Sequence, residues 1–407
     1  MSQRSASTAP PLRQMLEALI AAPSVSSVDP ALDQSNRPVL DLLAGWLEDA
    51  GFRVEILPLP GQPEKANLVA TLGGQAQPGM DHGSLSGLVL SGHADTVPFD
   101  AHLWHSDPLR LTEAEGRLYG IGTADMKSFL GLAIEAARGF KPADLRRPLI
   151  LLATADEESA MHGARALVES GRALGRHAVI GEPTSLRPVR AHKGVMAEAI
   201  RLTGRSGHAS DPRLGNNALE GMHEVLTALL AWRDALKATR RDPAFAIDYP
   251  TMNLGHIHGG DNFNRICGHC ELHIDIRPLP QQQPEQLRAE LRERVAPIAE
   301  RRGLELELAP LFPSIPPAET PAGAAIVQAA EALTGQRAES VSFGTEAPFL
   351  NALGMETIVF GPGAIEQAHQ PNEYLALDRI PPMLGYLRQL IQRFCVDDKD
   401  SAKKLIL

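Results

Sequence analysis

The sequence predicts an α/β protein: a mixed sheet flanked by helices, interrupted by an inserted domain of ferredoxin-like order. Three observations predict it. Helical and strand-like stretches alternate through residues 1–192. A β-α-β-β-α-β order fills residues 193–309. Helix–strand–helix alternation resumes over 310–407, so the first domain is expected to be discontinuous, 1–192 with 310–407, around an insert at 193–309.

The elements follow in order. "PPLRQMLEALIAA" is an amphipathic helix opened by proline. "RPVLDLLAGWLEDAG" is a second, closed by Gly51. "FRVEILPL", "ANLVATLG" and "GLVLSGHAD" read as strands, "DMKSFLGLAIEAARGF" as a helix, and "RRPLILLATADEE" and "HAVIGEPT" as further strands. The pattern then changes. "GVMAEAIRLTG", "TMNLGHIHGG", "HCELHIDIRPL" and "LELELAP" are strands, interleaved with helices "NNALEGMHEVLTALLAWRDALK" and "PEQLRAELRERVAPIAERRG". "PAGAAIVQAAEALTG", "ETIVFGPG" and "PPMLGYLRQLIQRFC" return to helix–strand–helix.

Composition excludes some functions. The chain has 407 residues, with 39 Lys and Arg against 49 Asp and Glu, a formal charge of −10. That balance argues against nucleic acid or an anionic membrane as main partner. No run of eighteen apolar residues would span a bilayer. "MSQRSASTAPPLRQ" lacks the apolar core of a signal peptide, so a cytoplasmic location is expected. Cys267, Cys270 and Cys395 are too few and too odd in number for a disulfide framework. "CGHC" is redox-like, but a redox pair needs its first cysteine at a helix N-terminus, and the alternating "CELHIDIRP" that follows is strand-like.

Imidazoles and carboxylates gather just past the strands, where open α/β sheets bind ligands. His93 and Asp95 stand in "LVLSGHADTVP", Asp125 in "YGIGTADMK", Asp156, Glu157 and Glu158 in "LLATADEES", Glu182 in "AVIGEPT" and His369 in "GAIEQAHQPNE". Singly, each has a plain structural reading: a loop histidine, a helix cap, a solvated turn. Together they suit a divalent cation, zinc first, with cobalt or manganese able to substitute. A cation would also offset acids that follow a buried apolar strand.

"SGHADTVP", "GIGTADMK", "ATADEES", "IGEPTS" and "AHQPNE" resemble the dinuclear zinc amidohydrolase and peptidase family that includes acetylornithine deacetylase, succinyl-diaminopimelate desuccinylase, aminoacylase and glutamate carboxypeptidase. The resemblance runs over about residues 15–395. "IGEPTSLRPVRAHKG", "LGHIHGGDNFNRICGHCELHIDIRPLP", "FGTEAPF" and "FGPGAIEQAHQPNEYL" are most similar to its acetylornithine deacetylase branch. The resemblance implies a zinc-peptidase-like catalytic domain with an inserted lid and dimerisation domain. It implies one or two Zn2+ per subunit, with Co2+ able to replace it. Asp125 would bridge two ions, His93 and Glu182 completing one and Glu158 and His369 the other. Glu157 would be the general base acting on a metal-bridging hydroxide, and Asp95 would accept the second ring N–H of His93. Asp156 is left as structural, with a backbone hydrogen bond as its expected contact.

The same resemblance makes His208 ("TGRSGHASDP") an oxyanion donor to the neighbouring subunit's site; a plain loop histidine is the other reading. It puts Arg277 on the substrate carboxylate, with Asn264 and Thr345 nearby; a surface ion pair is the other reading. Counting by two sets Arg277 with His273 and Asp275, opposite Ile274 and Ile276. Lys193 lies at a hinge position, and Glu346 is a candidate at the rim for a substrate ammonium. The reaction implied is hydrolysis of N2-acetyl-L-ornithine to L-ornithine and acetate, a step of arginine biosynthesis, by a homodimer. Acetylcitrulline, succinyl-diaminopimelate, acetylmethionine or a di- or tripeptide are the alternative substrates. An inactive scaffold kept for metal binding or regulation would have lost a ligand or the base, and none is missing.

Overall fold

The computed structural model describes residues 9–74, 86–172 and 174–397. The chain divides into two compact units: Met1–Arg190 with Thr320–Ala338 and Glu346–Leu407, and Ala191–Glu319 with Glu339–Thr345.

Four parallel strands form the centre of the first unit's sheet, in the order Leu149–Thr154, Leu88–His93, His177–Ile180, Glu356–Val359. The hairpin Arg53–Leu59 and Gln62–Leu72 extends one side antiparallel, with Leu68 facing Ala153. On the other side Val359 pairs antiparallel with Val189. Leu149–Thr154 and Leu88–His93 are buried at every position. Parallel strands covered on both faces read as unbroken apolar runs, which is how they show in the sequence. Period two still sorts them. Leu88, Leu90, Leu149, Leu151 and Ala153 join one core with helices Leu12–Ala21, Arg37–Asp49, Lys127–Ala137, Ala325–Thr334 and Ile380–Ile391. Gly51 follows the second helix at φ 87°, and Phe52 N donates to Leu47 O at 2.9 Å, closing it as expected.

A small sheet escapes sequence reading. Tyr374–Ala376, Arg117–Tyr119 and Thr112–Ala114 pair antiparallel, each too short to show a period. It brings Glu373 to the Gly120–Asp125 loop, where Gly120 N donates to Glu373 O at 3.1 Å.

The second unit holds four antiparallel strands in the order Thr251–Gly259, His269–Arg277, Met196–Thr203, Glu305–Pro310. With helices Ala218–Thr239 and Pro284–Arg302 the chain order is β-α-β-β-α-β. Asn217 caps the first helix, accepting from Leu219 N and Glu220 N. Cys270, Leu272, Ile274 and Ile276 are buried in this unit's core, while Glu271, His273, Asp275 and Arg277 alternate with them. Cys267 and Cys270 are buried free thiols beside this strand. The unit is wider than 193–309 because short strands and single bridges, too brief to show a period, pair within it: Val195 with Ile315, His192 with Ala318, and Lys193 N with Val341 O. Among the described residues no helix is long and apolar enough to cross a membrane.

Candidate metal centre

The parallel strands deliver their polar residues to one end of the first unit. His93 is the last residue of its strand. Asp156–Glu158 turn directly beyond Leu149–Thr154, and Glu182 lies just beyond His177–Ile180. Gly181, between them, has no room for a side chain: a Cβ there would lie 1.9 Å from the Phe129 ring. Asp125 sits before helix Lys127–Ala137 but does not cap it, since Met126 occupies the cap position and no side chain accepts there. His369 follows the turn Ile365–Gln367 with φ 58°, in the left-handed region.

These side chains meet. His93 Nε2 lies 3.1 Å from Asp125 Oδ1. His369 Nε2 lies 3.6 Å from Asp125 Oδ2 and 2.9 Å from Glu158 Oε2. The two oxygens of Asp125 therefore face different imidazoles. Ligand atoms of His93, Asp125 and Glu158 lie within 4.8 Å of one another, and so do those of His93, Glu157 and Glu182. His93, Asp125 and Glu182 are buried, while the His369 side chain is half exposed.

The electrostatics call for a cation. Burial, then repulsion from neighbouring acids, pushes Glu157 and Glu182 well above the usual carboxylate range, and Glu158 upward as well. Burial opposes charge on His93, but the Asp125 hydrogen bond and the nearby Asp95 and Glu182 charges together carry it well above the usual imidazole value. The hydrogen bond to Glu158 raises His369 to about 9. Glu182 Oε1 is buried without a hydrogen-bond partner among the described residues. An orphaned carboxylate oxygen within reach of imidazole and carboxylate donors fits a divalent metal, and the donor types suit zinc.

Several supporting residues differ from expectation. His93 Nδ1 faces the main-chain carbonyl of Asp95 at 3.0 Å, not its carboxylate, which stands at 3.7 Å. The Asp95 carboxylate instead accepts from Glu158 N at 3.1 Å. Asp156 does make the expected backbone contacts, its carbonyl accepting from Met161 N at 2.6 Å and Ala160 N at 3.2 Å, and its side chain is held as well, by Lys65 Nζ at 2.6 Å, Ser26 Oγ at 3.0 Å and His162 Nδ1 at 3.2 Å. Glu346 is not at a rim. It is 1% exposed, accepts from Thr154 Oγ1 at 2.9 Å, and is pushed by burial to about 7. It precedes the short helix Ala347–Ala352, whose buried Ala347, Phe349 and Leu350 draw it inward.

Two residues near the centre, Glu373 and Lys127, lie inside the motifs "AHQPNE" and "GIGTADMK", but neither has an expected role there. Glu373 accepts from Gly122 N, Ala124 N and Asp125 N at 3.0, 2.7 and 3.0 Å, and burial foremost raises it to about 8. Lys127 is fully buried, donates to Ala22 O at 2.7 Å and Leu19 O at 3.3 Å, and is lowered by burial to about 7.

The remaining expected residues lie in the second unit. His208 is exposed, with Nδ1 2.7 Å from Ser210 Oγ. Its segment runs beside Asn264, whose carbonyl accepts from Ala209 N at 2.9 Å. Arg277 donates from Nε to Asp275 Oδ1 at 2.8 Å. Thr345 is buried, and Lys193 is buried with Nζ donating to Tyr249 O at 2.6 Å.

Known proteins share this sequence and fold. A sequence model of peptidase family M20/M25/M40 matches residues 89–393. Acetylornithine deacetylase of Pectobacterium atrosepticum is 49% identical over 386 residues, 95% of this chain and 98% of the relative. That of Edwardsiella ictaluri is 51% identical over 381 residues, 94% of this chain and 97% of the relative. An M20 family metallo-carboxypeptidase from Sulfolobus solfataricus shares the fold with TM-score 0.71 at 16% identity, covering 95% of this chain and 99% of its own. So does the YXEP protein of Bacillus subtilis, described as a dinuclear metal binding peptidase, with TM-score 0.64 at 16% identity, covering 93% and 96%. With most of its length matched by that family's sequence model, and about half its residues shared with two relatives over nearly the whole chain, the chain belongs to peptidase family M20/M25/M40.

Proposed function

We propose that this chain hydrolyses N2-acetyl-L-ornithine to L-ornithine and acetate, a step of arginine biosynthesis in the cytoplasm, using Zn2+ for which Co2+ can substitute. The observation that carries a hydrolytic metal centre is the division of Asp125 between His93 and His369, with Glu157 beside the same cluster. The substrate is supported by the two acetylornithine deacetylases at about 50% identity over nearly the full length.

His93 and Glu182 would hold one ion, Glu158 and His369 the other, and Asp125 both. Ions held there would supply a lowered pKa to a bound water and polarisation of the amide carbonyl. Glu157 takes a proton from the attacking water and returns it to the leaving α-nitrogen of ornithine, so the carboxylate ends each cycle as it began. A base that must also act as an acid needs a pKa above the usual carboxylate range, and burial among acids supports that for Glu157. His208 would donate to the tetrahedral oxyanion from the neighbouring subunit of a homodimer. Arg277, with Asn264 and Thr345, would bind the substrate carboxylate. These four assignments and the dimer rest on the family resemblance of their motifs.

The test is metal removal followed by ornithine release from N2-acetylornithine, with and without added Zn2+ or Co2+. Activity restored by about one to two metal equivalents per chain is expected. Metal binding without ornithine release overturns the substrate and directs the assay to other N-acyl-amino acids and dipeptides. Full activity in the stripped protein overturns the centre.

A further inference from the structure

Glu157 sits in the middle of three consecutive acids, and the first of them, Asp156, takes no part in the metal cluster. What Asp156 does instead is anchor the turn. Strand Gln62–Leu72 runs antiparallel to Leu149–Thr154 with Leu68 opposite Ala153. Continuing that register brings Lys65 opposite Asp156, and the two meet at 2.6 Å. Lys65 is 2% exposed, and its ammonium also reaches Asp33 Oδ1 at 2.7 Å. Ser26 Oγ donates to Asp156 at 3.0 Å and shares a hydrogen bond with Ser159 Oγ at 2.7 Å. Ser26 N in turn donates to Thr96 O at 2.9 Å, one residue past Asp95. Asp95 closes the circuit by accepting from Glu158 N at 3.1 Å. Asp156 itself adopts φ 57°, a left-handed turn that a non-glycine residue holds only when its surroundings over-determine it.

We propose that the Lys65–Asp156 ion pair, with Ser26, is a clamp that positions Glu157, fixing the turn on one side while Asp95 fixes it on the other. Lys65 is thus a positioning residue, and its place in catalysis rests on the reading of Glu157 as the base. A carboxylate that must reach both the attacking water and the leaving nitrogen tolerates little displacement. Lys65 makes the shortest of the side-chain contacts to Asp156, and its loss leaves that side chain held by Ser26 and His162 alone among the described residues.

The experiment compares Lys65→Met in the wild-type and Glu157→Ala backgrounds. In the wild-type background kcat for acetylornithine is expected to fall about tenfold or more, with KM and metal content unchanged. In the Glu157→Ala background the same substitution is expected to leave the residual rate unaltered, because the effect acts through Glu157. An equal loss in both backgrounds, or loss of metal, overturns the clamp. Ser26→Ala removes one donor to Asp156 without stranding a charge, and serves where Lys65→Met does not fold. Hydrogen exchange over residues 155–161 gives a readout independent of substrate: faster exchange in either variant is expected, and unchanged exchange overturns the clamp. Wild-type protein that releases no ornithine refutes the proposed reaction alone, and the exchange measurement then decides the clamp.

Discussion

Stripping the metal leaves His369 as a cation at the centre, and this has a countable consequence. His369 is held at about 9 by Glu158, and Asp125 with its acidic neighbours carries His93 well above its ordinary 6.5. The His369 ring therefore carries a proton at neutral pH, on the nitrogen that faces Asp125 and Glu158. A ring nitrogen must lose its proton before it can ligate. Metal loading near pH 7 is expected to release at least one proton, from His369, with more from His93 and the acids raised by burial. Each released proton makes the apparent affinity about tenfold tighter per pH unit, or ~1.4 kcal/mol. The slope flattens above about pH 9, where His369 is already neutral. Calorimetric titration of Zn2+ into stripped protein, in two buffers of different ionisation enthalpy, counts the protons directly. His369→Ala is expected to release one fewer. Affinity independent of pH, with no net release, would refute the geometry.

The same groups fix how the stripped protein's stability varies with pH. His369 is raised in the folded state, so its contribution is complete below its ordinary 6.5 and is lost as pH rises through about 9. Glu346 and Glu373, held at about 7 and 8 against an ordinary 4.5, keep protons when folded that the unfolded chain has given up. The folded state then binds more protons, and stability again falls as pH rises. Lys127, lowered to about 7, acts in the opposite sense, so the expectation is comparative: melting of the stripped protein is expected to fall less between pH 5 and pH 9 in Glu373→Gln than in the wild type. The same pH dependence in both would contradict the buried, protonated Glu373.

Two further perturbations test single residues. Glu157→Gln keeps the shape but removes the base, so kcat is expected to fall ~10²–10⁴-fold while metal content holds; steady-state kinetics beside metal analysis checks this, and a loss below tenfold counts against the assignment. Gly181→Ala forces a methyl into the Phe129 ring at 1.9 Å, an overpacking cost of ~1–3 kcal/mol seen as a lower melting temperature. Because Glu182 is the next residue, metal affinity is expected to fall with it, and Phe129→Leu in the same chain to recover part of both. An unchanged melting temperature refutes the close contact.

The legible part of this protein is what repeats or what ends a repeat. Leu149–Thr154 and Leu88–His93 could be read because strands buried on both faces are unbroken apolar runs, and His93 and the acids after Thr154 stood out because they end such runs. Cys270–Ile276 could be read because one face of that strand is buried and the other is not. The illegible part is made by partners far apart in the chain. Glu373 receives the Asp125 amide 248 residues away, and the strand that follows it, Tyr374–Ala376, is too short to declare itself. Glu346 could not be placed, because its depth depends on helix Ala347–Ala352 packing inward.

The three adjacent acids show where the boundary falls. Sequence alone demands that Asp156, Glu157 and Glu158 be compensated, because they follow a buried strand, but it cannot say that the compensation differs for each. Glu158 turns to His369 at 2.9 Å. Asp156 turns the other way, to Lys65, which lies 91 residues upstream on a strand whose place beside Leu149–Thr154 is set by sheet order. Glu157 receives neither partner, and burial among like charges raises its pKa. The two outer acids, each tied down, are what allow the middle one to remain untied, and an untied, proton-hungry carboxylate beside the cluster is what amide hydrolysis requires of a base.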